Sequence, residues 1–316
     1  MSYFLSLPVI TSLLSILISS LVLYYLHIKI SERVLNNFQA SEAWIPENEL
    51  VLLTGGSGSI GRQIMEELSG KEVRVVILDI SQPTFELPEN VTFYQTDITS
   101  AKSLSETGAS IRKLHGEPTV IVNNAAVFNH HTILEIPEKE LRQTFDVNII
   151  SHFLVLKEFL PFMVRMNRGH VVTVASIASF VTIGEMVDYA CSKASALAFH
   201  EGLSQELRYW YKAPNVRTSS IHPLWVRTPM IEGFTKYEAD FRQSLLGPKE
   251  VSQAVVEHIV TRKSGQTILP RHASVFGSLK ALPLWLQEAI RSYFSSIVWR
   301  VRIKRVADKN PGLRAP

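Results

Sequence analysis

Residues 49–68 read ELVLLTGGSGSIGRQIMEEL: an apolar run, a glycine-rich turn from Thr54 to Gly61, and a stretch with helical spacing. A turn of this kind between a strand and a helix brings backbone N–H groups and the helix N-terminus up to a pyrophosphate. Gly55 suits the tight turn, and Gly61 suits close packing of helix on strand. Twelve residues on, VRVVILD (73–79) reads as a second strand and ends on Asp79. A carboxylate there accepts hydrogen bonds from both hydroxyls of an adenosine ribose and repels a 2′-phosphate. The turn contains no Lys or Arg, and none directly follows Asp79, so the reading favours NAD over NADP.

The same pattern continues outward. VTFYQTD, TVIVNNA, GHVVTVAS, VRTSSIHP and QTILP follow as further strand candidates, separated by amphipathic stretches such as Leu141, Phe145, Ile149, Phe153 and Leu156. Continuous Val/Ile/Leu runs mark parallel strands covered on both faces by helices. The expected fold is α/β, a Rossmann-type doubly wound parallel sheet of about seven strands. Of the 316 residues 46% are hydrophobic and 19% charged, which excludes a disordered or collagen-like chain. The lone cysteine, Cys191, excludes a disulfide scaffold. Net charge is +1 over 1–40, −5 over 41–270 and +7 over 271–316, an acidic body with a basic tail that does not suit nucleic acid.

Two segments flank the body. From Ser2 to Ile28 there is no charged side chain, long enough for a membrane helix. Tyr24, Tyr25, Lys29 and Arg33 suit its interfacial end. A cleaved signal peptide fits less well, because a basic start and a small-x-small site are missing. Pro8 and the serines leave a shallow or hairpin insertion open beside a full span. The expected organisation is an anchor over 1–28, a polar linker over 29–48, a catalytic body over 49–270 and a basic amphipathic tail over 271–316. Lys29 and Arg33 place the body on the cytosolic side, and the sequon at Asn90, in an expected exposed connection, should stay bare. In the tail, Leu286, Ile290, Tyr293 or Phe294, Ile297 and Val301 share a helical stripe beside Arg300, Arg302, Lys304 and Arg305. That pattern suits either a helix lying on an anionic bilayer or one packed on the body or a dimer partner.

Tyr189 and Lys193 are spaced i, i+4 and share one helix face; Ser176 ends the fifth strand, and Asn148 lies in the preceding helical stretch. Hydride transfer at a carbon requires a proton transfer at its oxygen, and a free tyrosine is too weak a base near neutral pH. A nearby ammonium is expected to lower its pKa. Ser176 would hydrogen-bond the substrate oxygen.

With TGGSGSIG, Asn123-Asn124-Ala125-Ala126 and YxxxK in this order, residues 49–270 resemble the short-chain dehydrogenase/reductase family. The resemblance implies an Asn148-Ser176-Tyr189-Lys193 catalytic tetrad, with Asn148 holding a water behind Lys193. It implies cofactor contacts from Thr54, Gly55, Ser57, Ser59, Ile60 and Gly61 in the turn. Asp79, Asp97, Ile98, Asn124 and Ala125 would add contacts from the strand ends. Tyr189 and Lys193, and after the sixth strand Val226 and Thr228, would complete the cofactor set at the nicotinamide. Two departures from the family pattern stand out: Ser59 replaces a glycine, and Leu224 replaces the glycine after Pro223. The Ser59 hydroxyl is expected either to cap its helix or to bond a phosphate. Residues 229–247 would form a substrate lid. Cys191 is expected to pack rather than react, and His130, His131 and His222 lack a third ligand, so no metal is expected.

The anchor and tail together resemble the retinol and 17β-hydroxysteroid dehydrogenases within that family, implying a membrane location at the endoplasmic reticulum or lipid droplet. The expected function is NAD-dependent oxidation or reduction of a lipophilic alcohol or carbonyl, such as a retinoid, steroid or fatty alcohol, at a site near a lipid surface. A homodimer is compatible with this. The alternatives are an NADPH-dependent ketoreductase of acyl-lipid metabolism and a non-catalytic nucleotide-binding scaffold.

Overall fold

A computed structural model describes residues 7–40, 42–241 and 243–309. Helix α1 (Leu7–Leu35) leads to β1 (Leu50–Thr54), α2 (Ser59–Ser69), β2 (Arg74–Asp79) and β3 (Val91–Gln95). Then come α3 (Ala101–Leu114), β4 (Val120–Asn123), α4 (Glu138–Phe145), α5 (Ser151–Met166) and β5 (Gly169–Val174). The chain continues through α6 (Val187–Tyr209), β6 (Val216–Pro223), two short helices α7 (Glu232–Thr235) and α8 (Glu238–Phe241), and α9 (Pro248–Thr261). It finishes with β7 (Gly265–Leu269) and α10 (Leu284–Lys309). The seven strands form one sheet in the order β3-β2-β1-β4-β5-β6-β7, every pairing parallel. All seven strand candidates become strands.

Alternating side chains feed two cores. Val51 and Leu53 of β1 pack with Ile64 and Leu68 of α2 and Val255 and Ile259 of α9 on one face. Leu50 and Leu52 pack with Ile111 of α3, Val155 and Phe159 of α5 and Leu203 of α6 on the other. The central strands β1, β4, β5 and β6 are buried along their whole length, which gives β1 and β4 their apolar runs, while β6 buries Arg217, Thr218, Ser219, Ser220 and His222.

The tail is a third apolar layer. Ile297, Val298 and Val301 of α10 are buried against Val181, Ile183, Ile231, Phe234 and Phe241. Arg302 pairs with Glu135 and Glu185, Arg305 with Glu185, and Lys304 with Asp240. Each buried aliphatic side chain contributes about 1.5–3 kcal/mol, whereas the exposed Lys304–Asp240 pair contributes about 0–1 and the attraction at buried Glu185 is offset by its desolvation. Apolar burial therefore holds α10, and the ion pairs set its register. Of the two readings of the tail, packing on the body is the one this chain adopts, and it takes up three of the four clustered cations.

Two further expectations change. The apolar helix continues past residue 28 to Leu35, and the segment after it is tied to the body. Arg217 donates to the carbonyls of Asn36 and Ala40, and Ser264 N–H donates to Asn36 Oδ1 at 2.9 Å. Glu49, buried, pairs with Arg168 and Arg262, which also reach Glu42. All of these contacts lie at the N-terminal ends of the strands. Asn90 is half-buried rather than exposed: its amide donates to the carbonyls of Ser69 and Val73, and its Oδ1 accepts from Ser69 Oγ. A glycan on that nitrogen would replace one of its two donating hydrogens in a half-buried site, so a bare Asn90 is uninformative about topology.

Removing one partner from a buried ionic cluster leaves the others uncompensated. Glu49→Ala should therefore cost about 3–5 kcal/mol in chemical denaturation. A loss below about 1 kcal/mol would show that the cluster behaves as a surface pair.

Candidate active site

The glycine turn sits at the C-terminal end of β1. Gly55 has φ +68°, the left-handed region, and a Cβ there would lie 2.8 Å from Ala125 Cα. A Cβ on Gly61 would lie 2.2 Å from the carbonyl oxygen of Gly55, so any side chain would force α2 off the turn. At Gly58, by contrast, a Cβ would meet only that oxygen, at 3.5 Å. The backbone is thus tight below and open above, a cradle that suits a pyrophosphate. Asp79 holds one flank, its Oδ2 accepting from Ser57 N–H and its Oδ1 from Ser81 N–H, each at 3.0 Å. Thr54 and Asn124 hold the other: Thr54 Oγ1 accepts from the N–H groups of Asn124 and Ala125, and Asn124 Nδ2 donates to the carbonyls of Thr54 and Gly55.

Ser59 opens α2, and the capping position is Gly58, with no side-chain bond. Of the two roles expected for the Ser59 hydroxyl, capping is not adopted. Asp97 is exposed and accepts from Thr99 N–H and Oγ1 at 2.9 and 2.6 Å, shaping the β3–α3 turn beside buried Ile98.

Ser176, Tyr189 and Lys193 line one chamber at the same end of the sheet, together with Ile60, Asn124, Val226 and Thr228. The Ser176 hydroxyl donates to the Pro223 carbonyl at 3.4 Å and accepts from Ala178 N–H at 3.1 Å. His222, buried, donates from Nδ1 to the Ser176 carbonyl at 3.1 Å; burial pushes its pKa down to about 4, so it is a neutral orienting group. Lys193 is buried, its Nζ donating to Val174 O at 2.9 Å and lying 5.6 Å from the centre of the Tyr189 ring.

The expected depression of the tyrosine is not met. Burial pushes Tyr189 up to about 12, opposed by the Ser176 hydrogen bond, and burial pushes Lys193 down to about 8. Desolvation disfavours both charged forms here and outweighs any attraction between them.

Asn148 stands behind this group. A π-helical turn, Asp146–Ile150, joins α4 to α5 and carries it inward. Its Oδ1 accepts from Val127 N–H, and its Nδ2 donates to Val127 O and to Ser192 Oγ, which in turn donates to the carbonyl of Tyr189. The side chain therefore ties the β4 end to α6. Val226 forms a parallel bridge with Leu246 through Trp225 O and Arg227 N, which turns its own N–H and C=O the other way, toward the chamber.

The outer chamber is apolar. Phe128, Ile183, Met186, Leu224, Trp225 and Ile231 line it, and Phe276 and Phe294 close it from the tail. Trp225, Phe234 and Phe241 pack edge and face at centroid distances of 5.0–5.4 Å, making the lid a built aromatic cluster. The sequence gives His222 no role beyond a structural or pocket-lining one, and it does not bring the tail phenylalanines to the chamber. Their stretches have ordinary core spacing, and only tertiary contact gives them a place here.

A family model described as short chain dehydrogenase matches residues 49–239. Dehydrogenase RED3 of Cochliobolus heterostrophus is 53% identical over 131 residues, covering 42% of this chain and 67% of the relative. Human 17-beta-hydroxysteroid dehydrogenase 13 is 32% identical over 244 residues, covering 74% of this chain and 79% of the relative. Among solved structures, the 3-ketoacyl-(acyl-carrier-protein) reductase of Brucella melitensis, complexed with NADH, superposes with a TM-score of 0.64 at 17% identity. It covers 71% of this chain and 98% of that one. With the glycine cradle and the chamber at the strand ends, these matches place the chain in the short-chain dehydrogenase family, as an NAD(P)-dependent oxidoreductase acting on CH–OH groups.

Proposed function

We propose that this protein is a membrane-bound dehydrogenase/reductase that uses NAD and acts on a lipophilic alcohol or its carbonyl. The observation that carries the substrate class is the chamber wall: aromatic and aliphatic side chains from the lid and α10 enclose the Ser176–Tyr189 pair. A chamber so poor in polar groups selects its substrate by apolar burial, at roughly 25 cal/mol per Å², and leaves the reacting oxygen to the two hydroxyls. The relatives named for hydroxysteroids support the same class.

The cofactor, when bound, supplies or accepts the hydride. Asp79 would take the ribose hydroxyls, the first-turn N–H groups of α2 with the Ser59 hydroxyl would hold the pyrophosphate, and the backbone of Val226 with Thr228 would hold the carboxamide. In oxidation, Tyr189 Oη takes the proton of the substrate hydroxyl as its carbon loses hydride; in reduction it returns that proton to the carbonyl oxygen. Ser176 Oγ hydrogen-bonds the same substrate oxygen and steadies developing charge. Lys193 orients the ribose and favours phenolate when its ammonium turns toward Tyr189.

Lys29 and Arg33 after the apolar stretch favour a cytosolic body. The strand-end position of the anchor changes one expectation: α1 joins the body at the end of the sheet opposite the chamber. The groove between α5 and α6, where Phe153 and Phe199 lie 4.8 Å apart, supports the homodimer reading.

Tyr189→Phe should lower turnover 10²–10⁴-fold with cofactor affinity within about threefold, read by single-turnover kinetics and fluorescence titration. Asp79→Ala should weaken NAD by about 1.5–3 kcal/mol and move the NAD-to-NADP preference toward NADP; wild-type protein that already prefers NADPH tenfold would refute this role. A tyrosine raised above its ordinary value is protonated at neutral pH, so it is ready to donate and must lose its proton before it can accept one. Alcohol oxidation should therefore rise steadily from pH 7 to pH 10, while carbonyl reduction should not. An oxidation rate flat over that range would show that Tyr189 is not the base.

A further inference from the structure

The turn between α6 and β6 reads Tyr209-Trp210-Tyr211-Lys212. The chamber makes no use of it. All three aromatic rings are exposed, Trp210 at 73%, and Lys212 beside them is exposed as well. Single exposed aromatics are ordinary; three in succession are not scattered surface residues.

The turn is bracketed by the clamp that holds α1. On one side Arg208 donates to Asn37 Oδ1 at 2.6 Å and to the carbonyl of Val34 at 3.0 Å, in the last turn of α1. On the other, Asn37 Nδ2 donates to the Pro214 carbonyl at 2.9 Å. Lys263 pairs with Glu32 at 2.5 Å, one turn further up the helix. α1 is continuous through this point, and its apolar residues from Leu14 onward are exposed along its length. At 1.5 Å per residue, the end of the uncharged stretch at Ile28 stands about 9 Å from the clamp at Val34. Phe38, also 73% exposed, follows in the clamp itself. Met166, at the end of α5, is exposed beside Asn167, whose Oδ1 accepts from Asn215 N–H.

Tryptophan and tyrosine favour the headgroup layer of a bilayer, where the ring is apolar and its N–H or O–H stays wet. Of the acidic groups nearest the turn, Glu206 accepts from the Tyr211 hydroxyl and Glu32 is paired with Lys263. Lys212, exposed at the turn itself, favours anionic headgroups.

We propose that the 209–212 turn is a second membrane contact, lying in the headgroup layer of the bilayer that α1 enters, so that the body stands on the N-terminal edge of its sheet. This rests on reading α1 as an anchor. The chamber then opens on the side of the body away from that bilayer.

The test uses the full chain with Cys191→Ser, reconstituted into phosphatidylcholine–phosphatidylserine vesicles. A bimane label is placed by Lys212→Cys, by Leu21→Cys in the apolar helix, or by Leu134→Cys, 97% exposed at the chamber end. Quenching is read with lipids spin-labelled in the headgroup or the acyl chain. The expected result is headgroup quenching of more than half at position 212, acyl-chain quenching at position 21 and none at position 134. Quenching at 21 without quenching at 212 would show an anchored protein held clear of the surface and would overturn the proposal alone. No quenching at 21 would overturn the anchor reading and the proposal with it. Adding Tyr209→Ser, Trp210→Ser and Tyr211→Ser should reduce the signal at 212 at least threefold while leaving that at 21 unchanged. Full quenching at 212 in that variant would overturn the aromatic contact. So would a shielding of 212 that depends on protein concentration and not on quencher lipid, which would assign the turn to contact between copies.

Discussion

A parallel sheet covered on both faces can offer chemistry only at the ends of its strands, and this constraint orders the rest of the molecule. At the C-terminal ends, β1 delivers the glycine turn, β2 delivers Asp79, β5 delivers Ser176 and β6 delivers Pro223 and the lid. At the N-terminal ends, Glu49, Arg168, Arg217 and Arg262 gather the segment that follows α1. One end therefore carries the candidate active site and the other holds the segment after α1, and the central strands between them are buried. The separation follows from geometry: helices α2, α3, α5, α6 and α9 occupy the faces and leave no third place for a site.

Inside the catalytic end, desolvation competes with charge. Burial raises Tyr189 and lowers Lys193, so both rest uncharged more readily than free side chains do. His222 follows the same rule, and its neutrality lets it donate to the Ser176 carbonyl as a fixed prop. Asn148 is a prop of a different kind, spending its whole amide on Val127 and Ser192. Positioning here is done by neutral hydrogen bonds.

Legibility followed the range of the interactions. The strands were readable because burial on two faces writes itself into consecutive residues, and the Tyr189–Lys193 pair because a helix repeats over four. Asp79 and Gly61 were readable because the turn that needs them is local. The tail was ambiguous for a physical reason: Ile297, Val301 and the neighbouring arginines form the same stripe whether the partner is lipid or protein. Val181, Ile183, Phe234 and Phe241, more than fifty residues away, decide the matter by burying the stripe. Asn90 misled because a sequon carries no information on what its amide already bonds. The upward shift of Tyr189 was out of reach for a related reason: spacing places a charge but says nothing of the solvent removed around it.

The chamber's origin in distant parts of the chain has a consequence for the order in which the protein is made. Its walls run from Ile60 to Phe294. A chain elongated only to residue 270 has every strand and the cofactor cradle, but neither of the phenylalanines that close the chamber. Domains form as their residues emerge, so the nascent polypeptide passes through a stage in which the fold is nearly whole and the reactive tyrosine still lies open to water. Because α10 is made after every element it packs on, the chamber closes only once the sheet and the cradle are already in place.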